Sequence, residues 1–295
     1  MFKPIHLIPE NTSINFLSLK SIFLSISLFV VLISLIASWI IGLNFGIDFR
    51  GGVLLELRSK NGFANISELR SKLNRFDLGE VSIQEFGKPT DALIRIQKQD
   101  GDEKSQDAKL NKVKEMLAIN YEIRRTEFVG PTVGEELKRN GFWAVVVALF
   151  GILMYIWFRF EWQFALSAIL ALFHDVIATI GLFVFTGLEF NLSTVAAVLT
   201  IAGYSVNDTV VVFDRVRENL RKSKSDEQLS IINKSLNETL GRTITTSLTT
   251  LLALFAIYFV GGEVISDFTL AMIWGVLIGT YSSIFVASAF LTFFN

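Results

Sequence analysis

The chain has 295 residues, 51% of them apolar and only 19% charged, where an average soluble domain carries about 25% charged residues. Lys and Arg total 27 against 28 Asp and Glu, a net charge of −1, which argues against a nucleic-acid binder working by phosphate neutralisation. Cysteine is absent, so disulfides, zinc–thiolate sites, iron–sulfur clusters and thiol nucleophiles are excluded together.

The charges are unevenly spread. Residues 44–137 hold 15 Lys/Arg and 16 Asp/Glu, 31 of the chain's 55 charged residues, and long apolar runs dominate the remainder. A membrane-spanning helix needs about 20 mainly apolar residues to cross a core roughly 30 Å thick. Residues 21–43 form the first such run. It is longer than the apolar core of a secretory signal and no small-residue cleavage site follows, so it is expected to stay as an anchor.

Residues 44–137 alternate strand and helix signals. Residues 53–57 predict a short strand, and Ile66, Leu69 and Leu73 lie at helical spacing within 66–76. Residues 81–86 and 92–96 alternate as strands, with Gly87-Lys88-Pro89-Thr90 as the turn between them. Residues 105–117 predict a second helix with Leu110, Val113 and Leu117 on one face, and 121–129 a last strand. The order β-α-β-β-α-β is that of a ferredoxin-like α+β sandwich. The segment has no His and its acids and bases are interleaved, so it is expected to touch another chain rather than to catalyse.

Five further apolar runs follow, at 141–158, 164–186, 193–213, 243–260 and 267–294. Six transmembrane helices are therefore expected, organised as 1–43 (tail and first span), a 44–137 insertion, and 138–295 with a charged loop at 214–241. Lys3, Lys20, Arg159 and the loop's Arg215, Arg217, Arg221, Lys222, Lys224 and Lys234 lie on one side. The connections 187–192 and 261–266 have no Lys or Arg. By the positive-inside rule both termini are cytoplasmic and 44–137 is outside. The 214–241 loop reads as an amphipathic segment on the anionic cytoplasmic surface, or as a contact for a cytoplasmic partner.

Ionisable residues at membrane depth cost at least about 2.5–3.5 kcal/mol on insertion scales and usually mark an ion or proton path. Asp175, preceded by His174, sits near the middle of the third span. It marks either that path or a packing network with Thr179. Asp208 lies five residues before the charged end of the fourth span, about 7–8 Å deep at helical rise. Arg242 opens the fifth from the same side, which makes an ion pair between them geometrically possible. Thr200, Tyr204, Ser205 and Asp208 read as one helix face, and Arg242, Thr245, Thr246 and Thr249 as another. Two such stripes imply a hydrated seam whose acid can load and release a proton if the pair separates; the alternative is a static pair gluing two helices. Gly275, Gly279 and Ser283 recur every fourth residue on the last span, the spacing that lets helices approach closely, within the chain or against a partner.

Several stretches resemble one family. Gly46-Ile47-Asp48-Phe49-Arg50-Gly51-Gly52 is similar to a signature of the SecD/SecF family, of the RND superfamily. The stretch running from Val129 to Leu137, Phe173-His174-Asp175-Val176, Gly203-Tyr204-Ser205-Val206-Asn207-Asp208-Thr209, the stretch from Phe213 to Asn219, and Gly241-Arg242-Thr243 with Thr245-Thr246-Ser247 resemble its SecF branch in order.

The resemblance implies an RND-type half of a polytopic α-helical bundle in the bacterial inner membrane. Its SecD partner would be obligate, and the pair would assist SecYEG-dependent export of preproteins, with SecA involved indirectly and YajC and YidC as neighbours. Proton flow would drive movements of the external domains that pull the preprotein. Asp208 and Arg242 match the family's proton-pathway acid and base; Asp175, with Tyr204, Ser205, Asn207, Thr245 and Thr246 as a supporting polar face, completes the expected set. No catalytic residue, cofactor or metal is expected. The Gly51-Gly52 pair reads instead as a tight turn needing positive φ. Competing functions are an RND-like exporter of small molecules or lipids and a non-transporting scaffold.

Overall fold

The computed structural model describes residue 9 and residues 12–76, 78, 81–96, 103–223, 227–261 and 265–294; Lys3 and Lys224 lie outside the described residues. The chain divides into two compact units, Met1–Asn44 with Ala144–Asn295, and Phe45–Trp143.

The smaller unit is an α+β sandwich. It runs α2 (Ile47–Arg50), β1 (Gly52–Ser59), α3 (Ile66–Leu73), β2 (Val81–Phe86), β3 (Lys88–Ile96), α4 (Glu103–Asn120) and β4 (Tyr121–Val129). Its four strands form an antiparallel sheet of order β2-β3-β1-β4. Alternation sets the two faces. Val53, Leu55 and Leu57 meet Ile94, Ile96, Leu69, Leu73, Val113 and Leu117 on one side, while Leu54 and Leu93 cover Ile47 on the other. Gly51 and Gly52 have φ of +70° and +134°, so the glycine pair is required where α2 turns into β1. Gly134 lies against this turn; a Cβ there would come within 3.0 Å of the Gly51 nitrogen.

The expected 87–90 turn is shorter than its composition implies. Gly87, with φ +66°, makes the reversal alone, and Lys88 already pairs with Phe86. Pro89 can sit in β3 because its carbonyl, not its missing N–H, is used, by the Ala64 N–H at 2.8 Å.

Among the described residues, six helices are long and apolar enough to cross a membrane: α1 (Lys20–Ile40), α5 (Pro131–Arg159), α6 (Trp162–Thr186), α7 (Leu192–Lys222), α8 (Gln228–Val260) and α9 (Ser266–Tyr281), the last continued by a π-helical turn, Ser282–Ala287, and α10 (Ser288–Leu291). They divide by burial. α6, α7 and the last helix bury 61%, 56% and 61% of their most apolar stretch, whereas α1, α5 and α8 bury 17%, 11% and 17%. Glycines bring the inner helices together. A Cβ on Gly275 would lie 2.2 Å from the Ile201 side chain, and one on Gly279 3.1 Å from Ser205. The small-residue spacing therefore serves the contact of α9 with α7 inside the chain. Gly181 of α6 likewise admits Ser34 of α1, whose Oγ would stand 2.1 Å from an added Cβ.

The 214–241 segment departs from expectation. It is not a separate surface helix but a hairpin made by the ends of α7 and α8. Its core of Val216, Ile232, Leu236 and Leu240 is continuous with that of the bundle. Arg215 bonds Glu238 at 2.6 Å and Asn219 bonds Ser235 at 2.9 Å across it. Val216, Ile232, Leu236 and Leu240 are thus turned into the protein core and not onto a bilayer surface.

Candidate functional site

The polar residues of the spans collect in two places. The first surrounds Asp175 of α6, which is fully buried. His174, 5% exposed, places Nδ1 2.8 Å from Asp175 Oδ1. Ser205 of α7 and Ser282, the first residue of the π turn, both donate to Asp175 Oδ2, at 2.5 and 2.6 Å. The Thr179 hydroxyl donates to the Asp175 backbone carbonyl at 2.8 Å. Both carboxyl oxygens thus have partners, while Nε2 of His174 is buried without one.

The second surrounds Asp208 of α7, 2% exposed, whose Oδ2 is buried with no hydrogen-bond partner. Arg242 and Ser247 of α8 are within electrostatic reach of it. The ion pair that their matched depth makes possible is not formed: no salt bridge joins Asp208 and Arg242 among the described residues. Arg242 is exposed on the surface of the chain.

The two expected stripes therefore sort differently. Thr200 to Ser205 spans an arc of about 140° on a helix wheel, too wide for a single face. Ser205 is buried toward Asp175, whereas Thr200, Gly203 and Asn207 are exposed. Asn207 does not share the Asp208 face, being one residue and so about 100° away from it. Tyr204 is half-buried and donates to Thr250 of α8 at 3.4 Å. On α8, Thr245 and Thr249 are exposed beside Arg242 and bond their own helix carbonyls. Thr246 is half-buried and donates to the Thr243 carbonyl. The inward groups of α8 are instead Thr243 and Ser247. The outcome is a buried carboxyl next to an exposed polar surface made of Thr200, Asn207, Arg242, Thr245 and Thr249.

Sequence reasoning missed Thr280, Tyr281 and Ser282, and read Ser283 only as a small packing residue, among the residues that join the two centres. Thr280, Tyr281, Ser282 and Ser283 each reach a different helix. The Thr280 hydroxyl bonds Ser247 of α8 at 2.7 Å, and Tyr281 bonds Ser27 of α1 at 2.9 Å. Ser282 bonds Asp175 of α6, and Ser283 bonds Thr209 of α7 at 2.8 Å. Four consecutive hydroxyls inside an apolar span were the available signal. No group of three or more metal-ligating side chains occurs among the described residues.

The chain as a whole is similar to known proteins. Residues 108–295 match the family model described as protein export membrane protein SecD/SecF, C-terminal, and residues 36–62 the SecD/SecF GG motif. The protein translocase subunit SecF of Rickettsia rickettsii is 42% identical over 99% of this chain and 95% of its own length. The protein translocase subunit SecDF of Brucella abortus is 42% identical over 98% of this chain, which spans 38% of that protein. A crystal structure of SecDF from Thermus thermophilus superposes with a TM-score of 0.89 at 36% identity, covering 98% of this chain and 39% of that one.

Proposed function

The chain belongs to the SecD/SecF family of protein-export membrane proteins, and from that premise we propose that it serves bacterial protein export as the SecF half of a SecD–SecF assembly, with Asp208 as the carboxyl that carries the driving proton. It is a multi-pass membrane protein with six spans. The observation that carries the mechanism is the state of Asp208: buried, one oxygen unpartnered, and adjacent to an exposed surface containing Arg242. A carboxyl tied into a complete hydrogen-bond set has little freedom to exchange a proton; one with an open oxygen next to a movable cation has that freedom.

The exposed polar surface also speaks for a partner. A guanidinium on a lipid-facing helix is costly, and hydroxyl and amide groups favour helix contacts. A second polytopic chain covering α7 and α8 satisfies both demands, and fused SecDF relatives carry such a partner on one chain. Arg242, Thr245 and Asn207 then face the SecD half, where Arg242 can approach or leave Asp208 as the halves move. Asp175, deeper in the same bundle, is bonded at both oxygens and would join that pathway only through the open Nε2 of its neighbour His174.

Orientation follows from charge and contacts. The Ile14 and Phe16 N–H groups donate to Asn237 and Asn233 of the α7–α8 hairpin at 2.8 Å, and Lys20 donates to Thr292 at 3.0 Å. Residues 14–20, Thr292 and the basic hairpin thus lie together, which supports placing them on the cytoplasmic side by the positive-inside rule. The α+β unit is then periplasmic, where it would handle a preprotein emerging from SecYEG. Each proton crossing about 100 mV supplies about 2.3 kcal/mol, so a few per cycle can drive a domain swing.

The test is Asp208→Asn in the full SecD–SecF complex. Stimulation of preprotein export by the proton gradient should vanish while the complex still assembles. Undiminished stimulation would overturn the motor and leave a scaffold.

A further inference from the structure

Resting on the reading that this bundle carries protons, we propose that His174 and Asp175 form a second proton-binding site, whose charge Ser282 conveys to the π-helical turn of the last helix. The geometry already holds both states. With Nδ1 protonated, neutral His174 donates to Asp175 Oδ1, and the pair carries one negative charge. That charge is held by the Ser205 and Ser282 hydroxyls on Oδ2. The buried, unpartnered Nε2 of His174 is the vacant position for one more proton. Adding it yields an imidazolium–carboxylate pair of zero net charge; removing it restores the first state. No covalent bond changes, and the proton is the sole species exchanged.

The surroundings isolate this site. α1 presents Ser27 and Ser34, and its single ionisable group, Lys20, is engaged at the far end by Thr292. α7 presents Ser205 and, one turn on, Asp208; α9 presents Tyr281, whose ring lies 6.1 Å from the imidazole. The π turn and α10 present only serines among their polar side chains: Ser282, Ser283 and Ser288. Among the described residues no Lys or Arg bonds this carboxylate, so an added proton is the natural counter-charge for it.

Ser282 can act as the reader because its hydroxyl has two acceptors in reach. It lies 2.6 Å from Asp175 Oδ2 and 3.1 Å from the Gly279 carbonyl. A full negative charge on the carboxylate holds the hydroxyl there; neutralising the pair weakens that hold and favours the carbonyl one turn back. The switch sits where α-helical bonding gives way to the π turn, a register in which the Ser288 hydroxyl reaches back to the Ser283 carbonyl at 3.1 Å. Such turns are local irregularities that can shift along a helix. Thr280, Tyr281 and Ser283 bond α8, α1 and α7, so a shift at Ser282 is felt by every helix around it.

The experiment is histidine nitrogen NMR on the assembled SecD–SecF complex in lipid discs, with only this chain labelled. The chain has two histidines, and His6→Asn leaves His174 as the single signal. The spectra are followed over the window of about pH 5 to 8 in which imidazoles in general change charge, and its Nε2 signal should report proton loading as the pH falls. Asp175→Asn should move the midpoint to lower pH by about one unit, a tenfold loss of proton affinity. Should that variant fail to assemble, Ser205→Ala and Ser282→Ala, which strip a stabilising donor from the carboxylate, should each move it to higher pH. Hydrogen exchange in 282–288 should quicken as His174 is loaded, and Ser282→Ala should abolish that pH dependence. An Nε2 that stays unprotonated across the window, or a midpoint indifferent to Asp175, Ser205 and Ser282, overturns the site. Gradient-driven export retained in Asp208→Asn would overturn the motor reading and leave this titration standing.

Discussion

The two buried carboxyls of the helical unit are built on opposite plans. Asp175 sits among the well-buried helices, and its carboxyl is held by His174, Ser205 and Ser282. Asp208 sits where a well-buried helix meets a poorly buried one, with an unpartnered oxygen and a cation beyond bonding distance. A closed centre fixes the arrangement of helices around it, and an open one leaves its chemistry to whatever covers the neighbouring face. Burial alone does not separate the two, at 0% and 2% exposure; hydrogen-bond completeness does.

The sharpest way to break this comparison is to remove each carboxyl in turn. Asp175→Ala leaves Ser205, Ser282 and His174 buried without their acceptor, and each buried donor left unsatisfied costs about 1–3 kcal/mol. The thermal midpoint of the purified complex should fall steeply. Asp208→Ala deletes a group with a free oxygen and should cost less than about 1 kcal/mol in the same assay, although it should abolish proton coupling. Equal losses of stability would show that both centres are structural.

Next in size are the glycines. Gly275→Ala puts a methyl 2.2–2.7 Å from three Ile201 carbons, and overpacking of this kind costs about 1–3 kcal/mol. Gly203→Ala meets nothing within 4 Å in this chain, so the chain alone should tolerate it. Because Gly203 lies with Thr200 and Asn207 on the exposed face, the same substitution should weaken binding of a SecD partner that packs there. Co-purification yields of the two variants report the difference.

The sorting of residues between these centres shows where sequence reasoning stops. The strands of the α+β unit were legible because alternation in a half-buried sheet is a local signal, and Tyr121–Val129 emerges with the expected bounds. The six spans were legible because lipid demands continuous apolar runs. The hairpin was not: charges ended the apolar count at Phe213 and delayed it to Thr243, although Ile231, Ile232, Ser235, Leu236 and Thr239 continue a helical inner face to Leu240. Asp208 and Arg242 could be singled out by depth alone. Whether they touch, and that Ser205 serves Asp175 instead, depends on how α7 is rotated between its neighbours. Sites assembled from four helices by Thr280–Ser283 need the tertiary packing itself.

The α+β unit offers a smaller version of the same contrast. Asp91 is buried at 2% exposure and clamped by the Arg58 guanidinium at 2.6 and 2.8 Å, with Thr90 donating at 2.8 Å. Hydrogen bonding to Arg58 outweighs burial and holds this carboxyl below its ordinary value of 3.8. A group whose acidity rises on folding stabilises the fold above its unfolded value, and that stability is lost as pH falls through the lower folded one. Exchange of the β1–β3 amides in the whole protein should therefore be insensitive to this pair near neutrality and should accelerate below about pH 4. Asp91→Asn should remove the acid dependence and cost about 1–2 kcal/mol at neutral pH.

The mildest effect belongs to the N-terminal clip. Asn233 and Asn237, one helical turn apart on α8, accept the N–H groups of Phe16 and Ile14 at 2.8 Å and return their own amide N–H groups to the Ile14 carbonyl at 2.9 and 2.8 Å. Asparagine suits this because each side chain offers an acceptor and a donor to backbone groups. The bonds are partly exposed, so each is worth about 1 kcal/mol. Asn237→Ala should speed exchange at the Ile14 amide by about fivefold and leave Phe16 nearly unchanged, while Asn233→Ala should do the reverse. Site-resolved exchange of those two amides checks both. Concerted loss at both positions in either variant would mean that the tail docks as one cooperative unit, as tightly coupled as the closed centre and not as loosely as the open one.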